Sequence, residues 1–117
     1  MKNFKKLKVW QKGMSIVVSA YKLARQLPRE ERFGLALQIT KAAVSIPANI
    51  AEGSAKSSSL DYKRYLEISL GSAYELETHV LATEMLGYGE AGLRTLLLKD
   101  VDEEQKMLQS FIKTVGG

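Results

Sequence analysis

Apolar residues along this chain recur every three or four positions, and no stretch sustains the two-residue alternation of a half-buried strand, so helix is the reading throughout. The first predicted segment, about residues 6–26, places Val9, Trp10, Val17, Ala20, Tyr21 and Ala24, with Leu27 just beyond, in one broad apolar arc. Lys8, Lys12, Ser15, Ser19, Lys22 and Gln26 fall on its other side. The second segment, about residues 29–52, carries a core stripe of Leu35, Ile39, Ala42, Ala43, Ile46 and Ile50. Phe33, Leu37, Val44 and Ala51 widen that stripe past the width one bundle interface uses. In the third segment, about residues 59–86, Tyr62, Tyr65, Leu66, Ser69, Ala73, Leu76 and Val80 share the principal face. Leu70, Tyr74, Leu81 and Met85 form a second patch, offset from it by roughly a quarter to a third of a turn. The fourth, about residues 90–115, keeps helical phase through Leu93, Leu97, Val101, Leu108, Phe111, Ile112 and Val115.

The joints between segments follow from turn and cap chemistry. Pro28 suits the first turn of the second helix, where its missing N–H costs nothing, with Glu30 and Glu31 beside the positive end. Pro47 falls inside the same segment and removes one helical hydrogen bond, which predicts a kink or loosening over Val44 to Pro47. Ser45, Asn49 and Glu52 recur beside it at helical spacing and are expected to satisfy freed backbone groups or cap the next segment. Gly53 is the expected terminator, Ser58 or Ser59 the cap of the third helix with Asp61 in its first turn, and the glycines of residues 87–92 make the last joint. Gly116 and Gly117 release the chain. Helices of this length joined by short turns predict an all-α, up-down antiparallel four-helix bundle, a single domain over residues 1–117. A lone bundle would leave the surplus apolar width uncovered, so self-association is expected, with Phe33, Leu37, Val44, Leu70, Tyr74, Leu81 and Met85 as interface candidates.

Charge sharpens this picture. The net charge is only +4, yet residues 1–64 hold thirteen Lys/Arg against four Asp/Glu, and residues 65–117 hold four against nine. The halves therefore differ in sign, and the first two helices are expected to present a basic surface attractive to phosphates. The competing expectation is a solvated face, or one that pairs with the acidic half of a neighbouring subunit.

Candidate chemistry is sparse. No cysteine is present, which removes disulfides and thiolate metal sites and favours a reducing, cytoplasmic setting. No apolar run approaches the roughly 18 residues of a membrane span, and no signal-peptide hydrophobic stretch follows the first lysines, so a soluble protein that is not exported is expected. His79 follows Glu75 by four residues, but the interval and the absence of a second histidine do not fit a di-iron bundle. Glu52, Glu75 and Glu77 are conceivable acid–base groups if buried. The glycines form no phosphate-binding loop. The reading is no catalytic residue, no metal and no cofactor.

KVWQKG, ERFGLALQITKAAVSIPANIAEGSAKSS and YLEISLGSAYELETHVL, spanning Leu7 to about Tyr88, resemble in order and spacing the small four-helix bundle proteins encoded in intervening sequences of bacterial 23S ribosomal RNA genes. The run from Ser45 to Gly53, which includes Pro47, Asn49 and Glu52, is the most specific piece. The resemblance implies a ring-like homopentamer and kinship with the accessory variability protein of diversity-generating retroelements, a basic pentameric barrel that binds nucleic acid and a reverse transcriptase. The expected function is therefore a non-enzymatic oligomeric module that binds RNA or DNA backbone through Lys8, Lys12, Lys22, Arg25, Arg29, Arg32 and Lys41. The alternative is a protein-interaction scaffold that recruits another protein without touching nucleic acid. No membrane partner is expected.

Overall fold

A computed structural model describes residues 3–116. Four helices follow one another: α1 (Lys8–Arg25), α2 (Leu35–Ser54), α3 (Ser59–Leu86) and α4 (Ala91–Gly116), with short 3-10 turns at Phe4–Lys6 and Arg29–Glu31. No strand occurs among the described residues. Each helix packs against its neighbours in sequence and α1 closes against α4, while α1 and α3, and α2 and α4, lie diagonally apart. That is the up-down-up-down square of a four-helix bundle. The 28 residues of α3, at about 1.5 Å each, span the 43 Å long axis of the molecule.

The core is aliphatic. Ile16 and Leu23 of α1, Ile39, Ile46 and Ile50 of α2, Leu66, Leu76 and Val80 of α3, and Leu97, Val101 and Leu108 of α4 are fully buried. On α1 the buried face is Val9, Ile16, Ala20 and Leu23, with Leu27 just beyond, turned from the expected arc, since Tyr21 is exposed and Trp10, Val17 and Ala24 are half-buried. Burial of faces built at three- and four-residue spacing is what drives the four segments together.

Two joints differ from the sequence expectation. The second helix begins at Leu35 and not near residue 29, because Pro28 opens a 3-10 turn and Gly34 (φ −108°, ψ −114°) interrupts the helical path. Glu31 then folds back and accepts a hydrogen bond from the Leu35 amide at 3.1 Å, satisfying a free donor at the start of α2. Gly53 does not end α2, which runs on to Ser54. Its role is spatial: a Cβ there would lie 2.7 Å from Tyr65 Cβ and 3.0 Å from Tyr62 Cδ1, so glycine lets α3 cross close to the end of α2. Gly117 lies outside the described residues.

The other joints follow cap chemistry. Ser58 caps α3 by accepting from the Asp61 amide at 3.1 Å. Gly87 ends it in the left-handed region (φ 73°), and the Tyr88 and Gly87 amides donate to the Thr83 and Glu84 carbonyls in a Schellman arrangement. Gln26, at the end of α1, accepts from the Glu90 amide at 2.8 Å and so fixes where α4 starts.

Pro47 does not interrupt α2, which is continuous where loosening was expected. Polar groups brace that stretch. Ser69 donates from α3 to the Ile46 carbonyl at 2.8 Å, the hydroxyls of Ser45 and Ser72 lie 2.7 Å apart, and Asn49 donates to the Ser45 carbonyl at 2.8 Å and to its hydroxyl at 2.9 Å. None of these bonds goes to the Ala43 carbonyl, which Pro47 leaves without its helical donor, so Ser45 and Asn49 tie α2 to α3 and to itself and do not fill the freed position, while Glu52 is exposed.

The two helical glycines Gly53 and Gly71 should respond oppositely to alanine. Gly53→Ala is expected to destabilise the protein by about 1–3 kcal/mol, because the clash is with a Cβ close to the α3 backbone. Gly71→Ala, which meets nothing within 4 Å, should stabilise by about 1 kcal/mol through helix propensity. Urea denaturation of both variants, read for opposite displacement of the midpoint, checks this.

Candidate nucleic-acid interface

The corner where α1 hands over to α2 gathers cations. Arg25 sits in the last turn of α1, Arg29 and Arg32 in the connection, and all three line a cleft of about 450 Å³. Ala24, Leu27, Ala36 and Leu37 supply its apolar lining, with Tyr21 and Thr40 toward α2. The local chain path explains the clustering. Pro28, with ψ 149°, turns the chain out of α1, and the 3-10 turn brings Arg29 and Arg32 back beside Arg25. Glu31 makes no ion pair with them and accepts instead from the Leu35 amide. Arg25, Arg29 and Arg32 enter no ion pair among the described residues. The Arg32 guanidinium lies 4.7 Å over the Phe33 ring, a cation–π contact that leaves its charge intact.

The remaining cations divide. Lys41 lines an adjoining groove of about 410 Å³ with Tyr21, Leu37, Thr40, Val44 and Ser45. Lys22 shares a third with Arg25, Gln26, Glu90, Leu93 and Leu96. Lys8 lies toward the opposite end of α1, in a groove with Lys106, Met107 and Phe111. Lys12 is held by α4, with Nζ 2.7 Å from Glu103 and 3.4 Å from Asp100. Hydrogen bonding to Glu103 raises the Lys12 ammonium, and the same bond holds the Glu103 carboxyl below its ordinary value. The line of Lys8, Lys12 and Lys22 along α1 is therefore broken as a basic surface, because two carboxylates of α4 stand opposite Lys12. Lys22, Arg25, Arg29, Arg32 and Lys41 collect at one end of the bundle, and Lys8 and Lys12 do not join them.

Two groups of exposed apolar side chains lie on opposite faces, and Leu60, Ile68, Leu86 and Leu96 are exposed besides. On the α1–α2 face, Met14, Val18, Tyr21, Leu37 and Val44 are exposed, beside a shallow groove lined by Trp10, Val17, Pro47, Ala48 and Ala51. Phe33 lies beyond them at 76% exposure. Along the α3–α4 edge run Tyr74, Leu81 and Met85, the last 87% exposed. The Tyr74 hydroxyl accepts from Gln109 at 2.9 Å and Glu77 accepts from Gln105 at 2.8 Å, which fixes that edge toward α4. Leu70 is half-buried and packs against the core. The seven interface candidates thus split between two sides of the molecule.

The family model described as 23S rRNA-intervening sequence protein matches residues 5–110, which include the arginine cleft and both apolar faces. The chain belongs to that family. A solved structure described as a protein of unknown function from the S23 ribosomal protein family, from Bacteroides thetaiotaomicron VPI-5482, is 29% identical, with a TM-score of 0.83 over 90% of this chain and 98% of that one. No curated protein matches. No helix among the described residues is long and apolar enough to cross a membrane.

This member of the 23S rRNA-intervening sequence family also holds a buried carboxyl group that sequence reasoning passed over. Glu104 of α4 is 0% exposed, and neither carboxylate oxygen has a hydrogen-bond partner. It fits because α1 has no side chain opposite: a Cβ on Gly13 would lie 3.1 Å from Glu104 Oε2, with Pro47 and Ile46 packed round the same spot. Burial pushes its pKa up to about 8, against a smaller lowering from Lys12, so the group is protonated at neutral pH. A signal for it existed, since Leu97, Val101, Glu104 and Leu108 follow one another at intervals of four, three and four residues, and position 104 falls on the core stripe of α4. The carboxylates singled out from sequence lie elsewhere. Glu52 is exposed, Glu75 approaches His79 Nε2 at 3.4 Å, and Glu77 receives Gln105. No group of three or more His, Cys, Asp or Glu side chains is placed to hold a metal among the described residues.

Glu104 dictates a pH dependence. In the unfolded chain it ionises near the ordinary 4.5, while the folded protein keeps the proton up to about 8. The unfolded state binds fewer protons in that window, so stability falls as pH rises from about 4.5 to about 8 and levels off above. By pH 7 the loss amounts to about 3 kcal/mol at ~1.36 kcal/mol per pH unit. Glu104→Gln should remove this slope, so its stability relative to the parent should rise by about that amount between pH 4.5 and pH 7, measured by urea denaturation at both.

Proposed function

We propose that this protein is a non-enzymatic oligomeric module that binds the backbone of RNA or DNA through the basic surface of its first two helices. The observation that carries this reading is the gathering of Lys22, Arg25, Arg29, Arg32 and Lys41 at one end of the bundle, with no ion pair among them. Unneutralised guanidinium groups in one cleft suit phosphate oxygens, which they engage in bidentate fashion. Such contacts supply affinity and position without reading bases.

The two apolar faces support assembly. They lie on opposite sides, and their flanking charges are opposite too: Arg25 and Lys41 beside the α1–α2 face, Glu77 and Glu84 beside the α3–α4 edge. Faces that differ in this way join head to tail, and a head-to-tail contact closes into a ring when its rotation permits. The family resemblance implies a homopentamer and kinship with the accessory variability protein, and a ring of this kind repeats the arginine corner once per subunit. Weak individual contacts then add through effective concentration. A cytoplasmic site of action goes with this reading.

Two outcomes are expected. Binding to generic RNA should weaken steeply between low and moderate salt, and Arg29→Gln should reduce the slope of log affinity against log salt by about one. A flat salt profile, or a protein partner retained after nuclease treatment by a particle that shifts no nucleic acid, would instead favour the scaffold reading. For assembly, Val44→Asp and Leu81→Asp should each dissociate the particle, since an unpaired charge in an apolar contact costs several kcal/mol. Each variant keeps one intact face, so an equimolar mixture should recover a heterodimer. Sedimentation velocity of the variants alone and mixed reads both effects, and unchanged mass for both would remove these faces from the interface.

A further inference from the structure

A surface that only tracks phosphates has no use for a hollow, apolar floor, yet the arginine corner has one. Arg25, Arg29 and Arg32 stand round a cleft of about 450 Å³ whose floor is Ala24, Leu27 and Ala36, with Tyr21 on its side. That volume lies in the ordinary range for small-molecule sites, and its mix of apolar lining with a few charged groups is their usual composition. Tyr21, Leu37 and Thr40 also line the adjoining groove that holds Lys41. Tyr21 therefore stands between two cationic positions, three arginines on one side and a lysine on the other.

We propose that this corner binds one nucleotide unit of an unpaired RNA or DNA strand, its base set against Tyr21 and the apolar floor and its flanking phosphates held by the arginines and by Lys41. The inference rests on the nucleic-acid reading above and goes beyond it by naming the form of the strand and the side chain that selects it. An unpaired base offers its π face to an aromatic ring, and stacking of this kind tolerates any base. A duplex keeps those faces stacked on one another and presents a convex row of phosphates, which reach the arginines only from the rim. The Tyr21 ring is partly exposed at the arginine end of the α1–α2 face, and it does not line the groove of Trp10, Met14, Val44 and Pro47 on that face. Glu30 and Glu31 follow Arg29 in the chain, but neither lines the cleft.

The test uses the whole assembled protein and fluorescence anisotropy with labelled oligouridylate, oligothymidylate and an RNA duplex of matched length, at one ionic strength. Both unpaired strands should bind about tenfold or more tighter than the duplex. Tyr21→Leu keeps apolar bulk but lacks a π face, and should lose about tenfold in affinity for the unpaired strands, while Tyr21→Phe should retain it. Neither change should move duplex affinity or salt slope. Tyr21 borders the apolar α1–α2 face, so sedimentation velocity reads particle mass alongside: both variants should keep the parent's mass, and a smaller particle for Tyr21→Leu would place the ring in the subunit contact and overturn this inference. Equal affinity for duplex and single strand, or wild-type single-strand binding by Tyr21→Leu, overturns this inference and leaves the basic-surface reading standing. Absence of binding to all three probes at low salt overturns both.

Discussion

The contact of α2 with α3 is the constraint on which the other positions in this bundle depend. Pro47 cannot donate a backbone hydrogen bond, so α2 carries a weak point in the middle of its length. The Ser69 hydroxyl reaches across to the Ile46 carbonyl, and Ser45, Ser72 and Asn49 form a small polar cluster beside it, so the weak point is braced from the neighbouring helix. As its penultimate residue, α2 carries Gly53, which lets Tyr62 and Tyr65 of α3 lie directly on the backbone. With α2 and α3 fixed in this way, their aliphatic stripes meet those of α1 and α4, and Pro47 becomes part of the surface against which Gly13 and Glu104 pack.

That packing decides which charges remain free. Closing α1 against α4 brings Lys12 to Asp100 and Glu103, and their mutual neutralisation removes the middle of α1 from any phosphate surface. The far end of α1 meets the start of α4, where Gln26 caps Glu90 and Arg94 ties down the Tyr88 and Gly89 carbonyls. Arg25, Arg29 and Arg32 stand just beside this junction with no carboxylate assigned to them. The positive surface thus comes from the absence of partners at one corner more than from the number of basic residues in the first two helices.

Glu104 sits in the core at a cost of about 3 kcal/mol at neutral pH by linkage. A stability of about 5–15 kcal/mol is usual for a domain, so this is a substantial fraction. The aliphatic burial around it offsets the cost, and Gly13 limits it further by leaving room for the carboxyl group without displacing either helix.

The four helices, the core stripes of the last three and the sign of charge on each half were legible in the sequence, because helical periodicity and capping are local properties that a single segment expresses by itself. On α1 the expected arc was turned toward Trp10 and Tyr21 and left out Ile16 and Leu23, which are fully buried. Glu104 was legible too, from its place in the Leu97, Val101, Leu108 series, although a charged residue interrupts an apolar count and is easily skipped. The start of α2 was not, since Pro28 is equally compatible with a 3-10 turn and a helix, and the side chain of Glu31 makes the difference. Nor was the fate of the basic residues. Sequence supplied seven candidate cations, and only the apposition of α1 with α4 separated Lys12, bound to two carboxylates, from the three arginines left free round an apolar cleft. Local pattern fixes what each helix offers to its surroundings, whereas the pairing of charges depends on which helices face each other, and the chain determines that only when it folds.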